Sequence, residues 1–180
     1  MSCIKTRSGI MFDPLAPKAE EIVITDIAHS LSMLCRANGH FKQFYSVGQH
    51  CINCAREAAA RGYSRRVQLA CLLHDGSEAY LSDVTRPVKE ELPRYVEIEE
   101  PLQAVIWEKY LGSPLTKEEY DQVFDIDDAM LYCEFLALMD TPLPGLPTEL
   151  TSKPTIDFME FALCKETYLA LFEELKTPCG

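Results

Sequence analysis

The residues of this chain best equipped for chemistry begin with Leu72-Leu73-His74-Asp75-Gly76-Ser77-Glu78-Ala79-Tyr80. This apolar helical run breaks into an adjacent imidazole and carboxylate, then offers Glu78 and, in Leu81-Ser82-Asp83, another acid. A His-Asp doublet on a core-facing segment is costly unless it has partners, and a bound cation is the obvious one. Donors of the same kind stand elsewhere: His50 closes Tyr45-Ser46-Val47-Gly48-Gln49-His50, and the pair Asp127-Asp128 opens another apolar helix. Two imidazoles and two carboxylates make a mixed nitrogen–oxygen set, suited to a divalent ion such as Mn, Co, Ni, Fe or Zn. Four protein ligands on an octahedral ion leave about two positions for water and substrate oxygen, the mark of a catalytic rather than a structural metal. Such an ion polarises a phosphoryl oxygen and acidifies water. Glu78 would orient or deprotonate that water, and Asp83 would hold water or pass a proton to the leaving alkoxide. Arg36, Arg86 and Lys89 would neutralise the non-bridging phosphate oxygens, with Arg as the bidentate fork. These are the parts that phosphomonoester hydrolysis needs.

The elements that must position them read as helices. Residues 1 to about 20, with Gly9, Pro14 and Pro17, form an irregular arm or short hairpin packed on the body. Thr25-Asp26 caps a helix running to Asn38 and stopped by Gly39. Its apolar face is Ile27, Leu31, Leu34 and Cys35, with His29, Ser32 and Arg36 on the other side. Ser46 caps the next helix, which Gly62 ends, with His50 at the edge of its apolar face. Ser64 caps a third, on which Val67, Ala70, Cys71 and His74 share a face, and Gly76 marks a break before Glu78. Asp83 to Lys89 is turn-like, because Pro87 restricts Arg86.

Residues 94 to 111 form an amphipathic helix with Ile98, Leu102, Val105 and Ile106 inward, kinked or restarted at Pro101 and stopped by Gly112. Thr116-Lys117-Glu118-Glu119 is a capping box for a helix reaching Met139. Pro142, Pro144, Gly145 and Pro147 mark a loop. A last helix, about Ile156 to Leu175, closes the bundle with Phe158, Phe161, Leu169 and Phe172 inward. The expected fold is all-α, a single-domain helical bundle over residues 1–180. Cys51-Ile52-Asn53-Cys54 is a C-x-x-C, but it lies inside a helix with no second copy, and we read it as core packing.

The whole chain bounds the rest. A net charge of −11 over 180 residues argues against a nucleic-acid polymer as partner, since that surface needs a basic stripe. It leaves room for a small phosphorylated ligand in one locally cationic cleft. No apolar run approaches the roughly 20 residues of a membrane span, and Met1 to Arg7 lacks the apolar stretch of a secretory signal. Several of the eight cysteines sit in helical patterns as small hydrophobes, which points to a reducing cytoplasm.

The order His50, His74-Asp75, Asp127 resembles the HD-domain metal-dependent phosphohydrolase superfamily. Phe44-Tyr45-Ser46-Val47-Gly48-Gln49-His50 and His74 to Asp83 look more closely like its bacterial and prophage branch of 5′-deoxynucleotidases. Pro87-Val88-Lys89, Glu97-Ile98-Glu99-Glu100 and Ile106-Trp107-Glu108-Lys109-Tyr110 continue the match, over roughly residues 22 to 140. The resemblance implies an all-α fold and a divalent metal in a helix-lined cleft. It also implies release of phosphate from nucleoside, above all deoxyribonucleoside, 5′-monophosphates. The implied metal ligands are His50, His74, Asp75 and Asp127, the last chosen over Asp128 as the Asp seven residues before the helical Glu134. The implied catalytic pair is Glu78 and Asp83, and the phosphate-facing arginine is Arg36. Members of the family often dimerise, and the apolar last helix offers a face for a homodimer. Gly76 in place of the usual Ala, Pro101 within a helix and Phe124 in place of a common Lys depart from the pattern. The alternative readings are hydrolysis of another phosphorylated metabolite or signalling nucleotide, or a non-catalytic helical module that binds a nucleotide.

Overall fold

The computed structural model describes residues 3–145 and 148–176, and Met1, Ser2 and Pro147 lie outside them. The architecture is mostly α, as the patterning predicts. Its centre is α2 (Val47–Ala60), opened by Ser46, whose hydroxyl accepts from Gln49 N. Eleven of its residues are buried, because α1 (Ile24–Met33), α3 (Arg65–Leu73), α7 (Lys117–Met139) and α8 (Phe161–Lys176) pack around it. A helix enclosed on this many sides cannot be amphipathic in the ordinary way. Its polar side chains must find partners inside.

One row of them does so through a strap. Gln49, Asn53 and Glu57 recur at the helical i, i+4 spacing and grip the backbone of residues 151–157. Gln49 Nε2 donates to Thr155 O and Asp157 O at 2.8 and 2.9 Å. Asn53 donates to Thr155 O and accepts from Thr155 N. Glu57 accepts from Thr151 N and Ser152 N at 2.9 and 2.7 Å. This grip keeps the strap extended, so α8 starts at Phe161 rather than Ile156, with Glu160 taking its first N–H groups. The inward face of α8 is therefore Cys164, Tyr168, Phe172 and Leu175. Phe158 and Phe161, expected inside, are 56% and 50% exposed.

Helix α1 also departs from its pattern. It begins at Ile24, and Asp26 is not its cap but is held by Ser8. It ends at Met33, not Asn38. Leu34 and Cys35 are extended and pair with the chain entering α2: Val47 N donates to Leu34 O, and Arg36 N to Tyr45 O. The left-handed Ala37, Asn38 and Gly39 then turn the chain. The expected arm is a hairpin, β1 (Ile4–Lys5) against β2 (Met11–Phe12) in antiparallel register, with Phe12 stacked 4.2 Å from Tyr80.

The run after α3 breaks at Gly76, as expected, and resumes as α4 (Glu78–Leu81). A Cβ on Gly76 would lie 2.9 Å from Leu73 O, so the tight break fits glycine best. Gln103 staples it, accepting from Ser77 N at 3.0 Å and donating to Leu73 O at 2.9 Å. Gln103 belongs to α6 (Pro93–Leu111), which runs unbroken through Pro101. Pro101 is exposed, so water can satisfy the carbonyl that loses its donor. The turn-like stretch holds a single helical turn, α5 (Arg86–Lys89), with Pro87 in its first turn. The capping box of α7 is complete. No described helix is long and apolar enough to cross a membrane, and the seven described cysteines are all free.

Candidate metal centre

His50 points from α2 and His74 from the end of α3 into one buried spot, where Asp75 and Asp127 of α7 join them. His50 Nε2 lies 3.2 Å from His74 Nε2 and 3.1 Å from Asp127 Oδ1. His74 Nε2 is 3.6 Å from that same oxygen and 3.4 Å from Asp75 Oδ1, and His50 Nε2 is 3.8 Å from Asp75 Oδ2. Metal–nitrogen bonds of about 2.1 Å place neighbouring ligand atoms about 3.0–3.4 Å apart, so these separations suit donors sharing one ion. All four expected ligands are thus brought together. Asp128, the other member of the pair, is exposed and paired with Arg86 at 2.7 Å.

The far sides of the rings decide what the near sides must do. His50 Nδ1 meets Glu134 Oε1 at 2.7 Å, and His74 Nδ1 meets Cys71 O at 2.7 Å. A carboxylate and a carbonyl only accept, so each Nδ1 carries the hydrogen. In the neutral rings both Nε2 lone pairs then face each other across 3.2 Å, beside two carboxylates. That arrangement is repulsive unless positive charge stands between them. It is also how metal-ligating histidines are oriented, with the outer N–H fixed by a carboxylate or carbonyl. The residues therefore fit a divalent cation.

The titration directions agree. Burial alone would lower His74 and His50, but the carboxylates reverse this: Asp75 above all for His74, Glu134 and Asp127 for His50, and both imidazoles are raised. Burial would raise Asp127, yet its bonds to His50 and His74 hold it well below the usual carboxylate range. The cluster is organised around positive charge.

The remaining expected residues surround it. Glu78 is buried and its Oε2 has no hydrogen-bond partner. Burial, then Asp75 and Asp83, push its carboxyl well above the ordinary value. Asp83 follows Ser82, whose left-handed φ of 78° turns the chain after α4. Burial raises Asp83 despite the opposing field of Arg36. Arg36 is buried, with Nη1 3.3 Å from Asp75 Oδ2 and Nε 3.2 Å from Glu134 Oε2. It ties a cluster acid to the carboxylate behind His50. Arg86 is more than half exposed and reaches Asp127 Oδ2 only at 3.8 Å. Lys89 is paired with Glu99 at 2.8 Å and lies over the Tyr95 ring.

Some neighbours have no role in the reading from sequence. Cys51 and Cys54 are buried as expected of core residues, but against the imidazoles: Cys54 Sγ is 3.5 Å from His50 Nε2. His50, Cys54 and His74, and likewise Cys51, His74 and Asp75, place donor atoms close enough to hold an ion. Burial lifts the Cys51 thiol to about 11, so without a cation it is protonated. The i, i+4 spacing of His50 and Cys54 was the available signal. Tyr45, whose hydroxyl donates to Glu134 at 2.9 Å and accepts from Asn53 at 2.8 Å, carried none.

A helical bundle with a buried His/Asp cluster able to hold a metal ion is the class that fold and site define together. No protein-family model matches the chain. It is similar to the uncharacterized protein YfdR of Escherichia coli (strain K12), 44% identical over 110 residues, which cover 61% of this chain and 59% of that protein. It is also similar to the uncharacterized protein RCAP_rcc00048 of Rhodobacter capsulatus, 39% identical over 105 residues, 55% of this chain and 53% of the relative. The matches span little more than half the length of either relative.

Proposed function

We propose that the chain is a divalent-metal-dependent phosphomonoesterase that releases phosphate from nucleoside 5′-monophosphates, deoxyribonucleotides foremost. One observation carries the reading. Two buried imidazoles present their Nε2 atoms to each other at 3.2 Å, with both outer N–H groups fixed and two carboxylates completing the ring. His50, His74, Asp75 and Asp127 would hold the ion. When bound, it supplies polarisation of a phosphoryl oxygen and acidification of water.

The chain's own residues do the rest. Glu78 offers a buried carboxyl oxygen without a partner beside Asp75, suited to orient water and take its proton. Asp83 passes a proton to the leaving 5′ oxygen. Arg86 and Lys89 leave their present carboxylates, Asp128 and Glu99, to meet the phosphate oxygens. Arg36 supports Asp75 and Glu134 and adds positive field behind the phosphate. The substrate class rests on the resemblance of residues 44–50 and 74–83 to the 5′-deoxynucleotidase branch of the HD-domain superfamily. The cluster alone fits other phosphomonoesters as well.

The test is phosphate release from ribo- and deoxyribonucleoside 5′-monophosphates by protein loaded with Mn²⁺ or Co²⁺. Turnover that disappears in Glu78→Gln while bound metal stays is the expected result. A loaded protein that frees no phosphate from any nucleotide defeats the reading. Release confined to other phosphorylated metabolites keeps the chemistry and removes the substrate class.

A further inference from the structure

A hollow of about 370 Å³ lies between the β1–β2 hairpin, α1 and α4. Its lining includes Ala79 and Tyr80 of α4 but none of the four clustered donors. In a chain of net charge −11, this hollow collects cations. Those cations are Lys5 and Arg7, which reach it from the hairpin, and the imidazole of His29 enters from α1. The cations around the His/Asp cluster and on α2 and α3 are engaged: Arg36, Arg61, Arg66 and Lys89 all face carboxylates. Among the described residues Lys5 and Arg7 form no ion pair. The carboxylate of the lining, Asp26, is already occupied, accepting from Ser8 N at 2.9 Å and Ser8 Oγ at 2.6 Å. His29 reports the resulting field, since burial and then Arg7 and Lys165 lower its imidazole.

Thr6 and Ser30 also line it, and one wall is apolar. Met33 is 53% exposed on it, with Leu34, Ala79 and Tyr80 beside it. A cationic rim over an apolar wall, with a volume inside the range of about 300–1,000 Å³ typical of small-molecule sites, has a definite complement. We propose that this hollow binds a small organic anion, its phosphate or carboxylate head on Arg7 and Lys5 and its apolar body against Met33, Leu34 and Tyr80. Arginine supplies the planar fork and lysine the point charge. The site is independent of the phosphatase reading. It still adjoins the same helix, because Ser30 Oγ donates to Ala79 O at 3.0 Å, one residue past Glu78.

The methionine methyl spectrum of the full chain in EDTA, titrated with phenylphosphonate and with benzoate, tests this. Neither probe can be hydrolysed, and Met33→Leu assigns the reporter. The expected result is a saturable shift of the Met33 methyl, unchanged in His74→Ala. Binding should weaken by about tenfold or more in Lys5→Glu/Arg7→Glu, as loss of charge-assisted bonds implies. Should that double variant melt early, Arg7→Gln serves instead, with binding about three- to tenfold weaker. The tighter of the two probes identifies the head group. A Met33 methyl that neither probe moves overturns the proposal, as does undiminished binding in the charge variants. A shift lost in His74→Ala but kept in the charge variants would place the anion at the metal centre and overturn it too.

Discussion

Helix α2 carries two buried polar rows with opposite fates. Gln49, Asn53 and Glu57 face the strap, and each has donors or acceptors in the backbone of residues 151–157. Backbone partners account for their burial, save for Gln49 Oε1, which has no hydrogen-bond partner. His50 and Cys54, one residue further round, face the interior junction with α3 and α7. There the outer nitrogen of His50 is matched by Glu134, but its inner nitrogen meets another ring nitrogen and a carboxylate oxygen. A polar row tied to backbone is architecture. A row whose inner nitrogen faces a second ring nitrogen among carboxylates is a place for positive charge.

The largest way to break this contrast is Asp127→Asn or His74→Ala. Each should empty the site and lower phosphate release by about a thousandfold or more, while Asp128→Asn leaves bound metal within about twofold. Metal analysis alongside a phosphate assay checks both. Glu78→Gln should cost about 10²–10⁴ in turnover without changing metal content, separating the proton-handling acid from the ion holders. Glu134→Gln should weaken metal binding about 10- to 100-fold, read by competition with a chelator dye.

The smallest effect belongs to the other row. Glu57→Gln should lower stability by about 1–3 kcal/mol in denaturant melts with metal affinity intact. Equal loss of metal would mean that the two rows are not separable. Glu57 also has a pH signature. Burial would raise it, but bonds from Ser152, Thr151 and Arg61 lower it below the ordinary value. A carboxyl lowered in the folded state stabilises above its unfolded value, about 4.3. That contribution is lost as pH falls from there through the lower folded value. Acid melts of Glu57→Gln should therefore be flatter below about pH 5 than those of the wild type.

Side-chain caps were legible at three helix starts. Ser46, Ser64 and Thr116 all cap as read, because capping is a local bond between a side chain and an amide three residues on. The meeting of His50, His74 and Asp75 with one of the Asp127-Asp128 pair followed from burial cost and motif order, and the choice of Asp127 came from the family resemblance. What escaped was non-local. The end of α1 is set by pairing of Leu34 and Arg36 with residues before α2, which no periodicity within α1 contains. The late start of α8 is set by amides on α2 that grip residues 155–157. The Cys51 and Cys54 pattern was read correctly as core, but which core atoms it would meet depends on how α2 and α3 cross.

The Gln103 amide carries a consequence of its own. It binds the two backbone groups on either side of the bend between His74 and Glu78, so a third helix sets the gap between that imidazole and that acid. A substitution on α6 would alter their spacing without touching either side chain.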